Sequence, residues 1–214
     1  MPPTAESAVS SPAKPRRSQS KLLLWSLLGV AALWVFFSNE VALLFDYPLY
    51  HSYRLQMILD RWLLIPHAIC GTFALVSGPF QFSSRLRQRN LRAHRMLGRL
   101  YVLAVYGAAL MAFTIEWHRP LFVGTVTQGG AWILATTLAW ITAKNGHVNV
   151  HRQWVARSYA VTFTFVLLRV LSVWPAYWNL PDSLNVIVII VTTFASVLAA
   201  DIIMNWREIT TRRA

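Results

Sequence analysis

Two histidines stand in matching frames. LRAHRMLGRLYVLAVY (91–106) and VNVHRQWVARSYAVTFTF (148–165) each run His-Arg, a further Arg after three or four residues, then Tyr two residues beyond it. If the frames are copies of one helical hairpin, offset by 57 residues, His94 and His151 come to one depth on different helices. Neutral imidazoles facing each other across a bundle are what axial haem ligation requires. A second chemistry uses His147, four residues before His151 and on its face if helix survives Gly146; with His94, His151 and Asp201 it would offer a divalent metal four ligands. The plainer alternative has His-Arg pairs at helix starts meeting lipid headgroups, with Tyr101 and Tyr159 joining an interfacial aromatic belt.

Two further residues could do chemistry because hydrocarbon surrounds them. Arg169 lies in FTFVLLRVLSVW, and an ionisable group there costs a few kcal/mol unless paired or hydrated. On a helix running to residue 178 it sits roughly 13 Å from the helix end at 1.5 Å per residue, too deep to snorkel easily. Its forked guanidinium could clamp a carboxylate, a haem propionate or a quinone carbonyl, or tie structurally to carbonyls or an acid. His67 follows Pro66, which frees a backbone carbonyl, and reads either as a hydrogen-bonded structural histidine or as a ligand or proton carrier. Gln128 would reach a similar depth if the hairpins repeat.

The elements that must hold these residues are transmembrane helices. Of 214 residues 56% are hydrophobic and 13% charged, about half the charged fraction of a soluble domain, and mean hydropathy is +0.44. A crossing needs about 20 apolar residues, which predicts an all-α polytopic protein with six spans near 22–38, 62–82, 97–115, 121–143, 156–178 and 184–206. The second to fifth spans would form a four-helix core. Residues 1–20, rich in Pro, Ser and Ala, read as a disordered tail, 21–206 as the membrane domain and 207–214 as a C-terminal tail. The first span reads as a retained signal anchor, since no small-residue cleavage site follows it.

Charge orients the bundle. Sixteen Lys and Arg fall on one side, six of them (Arg85, Arg87, Arg89, Arg92, Arg95, Arg99) between the second and third spans, against Arg54, Arg61 and Arg119 on the other. Basic residues are retained in the cytoplasm, so both termini are expected there and the chain in the inner membrane. The net charge of +12 would suit nucleic acid only on a soluble surface, and here it flanks apolar runs.

Three stretches carry a resemblance: HAICGTFALVSGPFQF from His67, LRAHRMLGRLYV, and HRQWVARSYAVTFTFVLLR ending at Arg169. Together they resemble the bacterial membrane family called domain of unknown function 2306 over about half the chain. That family has no settled activity, so the resemblance implies topology rather than chemistry. The histidines at helix ends are more loosely similar to transmembrane two-haem b-type cytochromes, although two His pairs buried in facing helices are lacking.

Three functions follow. The first is a membrane redox protein holding haem b or exchanging electrons with a quinone or redox partner through His94, His151, His67 and Arg169. The second is a small transporter or ligand-binding membrane protein using Arg169 and His67. The third is an assembly subunit whose arginine-rich loop meets anionic lipid. No glycine-rich phosphate loop, HExxH or Ser-His-Asp spacing is present. Cys70 reads as a small buried hydrophobe, most tryptophans as interfacial anchors, and Gly129-Gly130 and Gly107-Ala108-Ala109 as close helix contacts.

Overall fold

The computed structural model describes residues 29, 30, 33, 60–172 and 174–211. The expected first span and the N-terminal tail therefore lie outside the described residues, apart from helical Gly29, Val30 and Leu33. The rest is helical, with no strand among the described residues: α1 (Arg61–Gln81), α2 (Ser84–Arg89), α3 (Leu91–Ile115), α4 (Phe122–Lys144), α5 (Val148–Leu171), α6 (Pro175–Trp178) and α7 (Asp182–Thr210).

The expected four-helix core is present. Helix α1 packs on α3, α3 on α4, α4 on α5 and α5 back on α1, while α7 lies outside against α4 and α5. Short connections make successive long helices antiparallel. One end of the bundle thus gathers the α1–α3 and α4–α5 turns with their arginines, and the opposite end holds Asp60, Glu116 and Arg119.

Local chemistry sets the turns at the arginine-rich end. Ser83 caps α2 through Leu86 N–H at 3.2 Å, and Asn90 caps α3 through Ala93 N–H at 2.9 Å. Gly146 takes φ 75°, a left-handed conformation that suits glycine, and reverses the chain between α4 and α5.

Among the described residues, four helices are long and apolar enough to cross a membrane: Arg61–Gln81, Leu91–Ile115, Val148–Leu171 and Asp182–Trp206. Large side chains such as Leu103, Ile203 and Leu198 point outward from them, a surface that suits lipid better than water. Helix α4 is equally long but carries Gln128 and five threonines. The count of six spans includes a first span that lies outside the described residues. The polarity of α4 has a physical cause. Helix α4 contacts α3, α5 and α7, and Gln128, Trp132 and Thr136 turn into the bundle, where partners satisfy them.

Three helices have bounds other than expected. Helix α3 begins at Leu91 rather than 97 because the Asn90 cap starts it ahead of the apolar run. Helix α5 spans 148–171 rather than 156–178, since Trp174 precedes Pro175 and is held extended (ψ 123°), which helix cannot accommodate. Helix α7 continues through Thr210, past the boundary expected at 206.

Candidate functional site

A cavity of about 330 Å³ opens among the end of α1 and helices α3, α4 and α5, at the arginine-rich end. His94 and His151 both line it. Each is the fourth residue of its helix, α3 and α5 respectively, so the matching frames do bring the two imidazoles to one site. Their settings differ. His151 Nδ1 donates to the Ala139 carbonyl at 2.8 Å, which leaves Nε2 facing away with a lone pair. His94 Nδ1 is buried with no hydrogen-bond partner.

Gln81, the last residue of α1, completes that wall. Its Nε2 is also buried and unpartnered, while its Oε1 rests against Gly98, where a Cβ would stand 3.3 Å away. Three cations join from α3 and α4, namely Arg95, Arg99 and Lys144, the last with its ammonium 6.0 Å from the Trp140 ring centroid. No carboxylate lines the cavity. Such a set of donors and fixed charges, with no carboxylate in the lining, is chemically suited to an anion.

Buried hydroxyls close the floor. Thr136 meets Ser158 at 2.7 Å, Ser158 meets Tyr101 at 2.9 Å, and Tyr101 meets Thr162 at 2.9 Å, where Trp132 Nε1 also donates at 2.9 Å. Gln128 Nε2 donates to Thr164 at 2.6 Å one turn further in. Tyr101 is thus in the core and not in an interfacial belt. Tyr159 likewise turns inward, its hydroxyl donating to the Leu75 carbonyl at 3.2 Å. Both rings trade the interface for hydrogen-bond partners inside the bundle.

The other candidates lie apart from the cavity. His147 is the exposed N-cap of α5, and Asp201 accepts from Arg157 at 2.8 Å, an ion pair joining α5 to α7. The four-residue metal set of His94, His147, His151 and Asp201 is not assembled, and no three His, Cys, Asp or Glu gather for a metal among the described residues. His67 Nδ1 donates to the Ala108 carbonyl at 2.8 Å, tying α1 to α3, and its ring is within electrostatic range of Arg169. Arg169 stands nearer its helix end than the roughly 13 Å expected. It occupies the last turn of α5, where a cation complements the helix dipole.

Haem b does not fit between the two histidines. The Thr136–Ser158–Tyr101 hydroxyls close the floor of the cavity and limit its depth. The volume, about 330 Å³, is also at the low end of the roughly 300–1,000 Å³ of small-molecule pockets.

At the opposite end Arg119 pairs with Asp60, fastening the start of α1 to the α3–α4 loop. Glu116 sits beside them, and burial raises its carboxyl above the usual range; Arg119 lowers it and Asp60 adds a smaller upward push.

Sequence reasoning missed Gln81, and it used Arg95, Arg99 and Lys144 only to orient the chain. Arg99 belongs to the repeated frame, a signal that could have found it. Nothing in the sequence pattern marks Gln81.

An outward apolar surface on a closed helical bundle, with a cationic cavity at one end, defines a polytopic membrane protein. The chain belongs to the predicted membrane protein family DUF2306, whose family model matches residues 64–204, from the first turn of α1 into α7. No curated protein and no solved structure matches the chain.

Proposed function

We propose that this chain is a ligand-binding membrane protein that takes a small anion into the cavity at its arginine-rich end. One observation supports this reading above the others: Arg95, Arg99 and Lys144 share a cavity with two imidazoles and no carboxylate. Like charges held together without a counter-ion repel, and an anion from outside relieves that repulsion. The distribution of Lys and Arg along the chain would set this end on the cytoplasmic side of the inner membrane. A redox role through haem b is set aside because a cavity of about 330 Å³ is small for the macrocycle. A neutral quinone ring matches the three cations less well than an anion does.

The test is isothermal titration of detergent-purified protein with inorganic phosphate, sulfate and short-chain carboxylates. Saturable binding is expected for at least one anion, weakened about tenfold or more by Arg99→Gln or Lys144→Gln, since a charge-assisted hydrogen bond is worth about 1.5–3 kcal/mol. Absence of saturable binding to every anion, or binding indifferent to both variants, would falsify the reading.

A further inference from the structure

The cavity holds more donors than a carboxylate can use. Besides the three cations, Gln81 and His94 line it and their Nε2 and Nδ1 atoms are buried with no partner, and the His151 ring lines it as well. Buried polar atoms without partners are rare in folded proteins, and two on one cavity point to a group that completes them. The donors come from the end of α1, from α3, from α4 and from α5, so they approach from several directions rather than as one fork. A carboxylate presents two oxygens in a plane and one charge. A phosphate monoester presents three terminal oxygens and about −1.5 to −2 charges near neutral pH, which matches both the spread of donors and the cationic excess.

The floor hydroxyls of Thr136, Ser158 and Tyr101 are already bonded to one another, and beside them Val102, Ala139, Trp140, Ala143 and Val155 form an apolar wall that suits an apolar ligand body. We infer that the ligand is a phosphate monoester on an apolar body, its phosphate held by Arg95, Arg99, Lys144 and Gln81 and its body lying against Trp140 and Val155. This rests on the anion-binding reading above. Two sources share that chemistry: a phosphomonoester lipid of the bilayer and a water-soluble organic phosphate.

The experiment uses the full chain in phosphatidylcholine nanodiscs, titrated with octyl phosphate and, as the matched control, octyl sulfate. Sulfate esters carry three terminal oxygens but a single charge. Octyl phosphate is expected to bind about ten- to a hundredfold more tightly, and Gln81→Ala and Lys144→Gln each to narrow that margin. Lys144 is on the exposed rim, so its variant tests the idea even if Gln81→Ala disturbs folding. Equal binding of the two esters would overturn the phosphate assignment while leaving an anion site in place. If neither octyl ester nor any simple anion bound, both readings would fall together. Phosphatidate added to the nanodiscs distinguishes the sources: displacement of octyl phosphate by phosphatidate but not by phosphatidylglycerol assigns a lipid, and no displacement assigns a soluble phosphate.

Discussion

The Tyr101 hydroxyl donates to Thr162 and accepts from Ser158, and no other polarity is open to it. Thr162 spends its single hydrogen on the Ser158 carbonyl at 3.0 Å, so it can only accept from Tyr101 and from Trp132. Tyr101 must then receive the Ser158 hydrogen, and Ser158 that of Thr136. The chain of hydroxyls ends on a carbonyl. It therefore cannot relay protons through the bundle and acts as a rigid brace under the cavity.

Tyr101→Phe should accordingly destabilise the bundle by about 1–2 kcal/mol, two interhelical bonds at the roughly 0.6 to 1.7 kcal/mol found for such bonds in membranes. Thermal unfolding in detergent measures it. A melting temperature equal to that of the parent would mean that α3 and α5 are held together without the brace.

Gly78 faces the ring of Tyr159, and a Cβ there would overlap Cδ2 and Cε2. The ring has little room to retreat, since Phe82 meets it edge-on at 5.8 Å and its hydroxyl is bound to Leu75. Gly78→Ala is expected to cost about 1–3 kcal/mol as an overpacked contact. The double variant with Tyr159→Leu should recover part of that loss, because the two changes share one contact. Additive losses in the double-mutant cycle would show that the clash is not the cause.

Residue pattern gave the helices and the pairing of His94 with His151 because both depend on local periodicity. Helix ends were less legible. Arg169 looked deep only because the apolar run continues past Leu171, and Pro175 decides where helix α5 stops. The metal set failed for a tertiary reason, since Asp201 had a closer partner in Arg157. Gln81 was invisible because its role depends on Gly98 giving it room on another helix. Of the paired glycines only Gly129 makes the expected close contact, against Phe113, while Gly130 faces open space.

Glu116 offers a test by pH. Burial is the largest influence on its carboxyl and raises it above the usual glutamate range. The folded protein therefore holds this proton more tightly than the unfolded chain does, and ionised Glu116 is a cost that disappears as pH falls through the raised value. Glu116→Gln removes the charge at every pH. It should raise the melting temperature at pH 7, and the gain should shrink to nothing near pH 4. A gain that stayed constant across that range would show that Glu116 does not titrate as its burial requires.

Arg157 and Asp201 give the sharpest choice between an ion pair and a metal ligand. Their side chains are 19% and 33% exposed, and Arg157 also lies 4.5 Å from the Trp154 ring centroid. Asp201→Asn leaves the guanidinium its aromatic contact but strips its counter-ion, a loss of about 1–3 kcal/mol at this partial burial. Arg157→Gln should cost a similar amount, and the double variant less than the sum, since the first change already removes the shared bond. All of this should be indifferent to chelators. If stripping divalent metal from the parent protein lowered its melting temperature to that of Asp201→Asn, Asp201 would be acting as a ligand, and α7 would be held to the core through a metal rather than through Arg157.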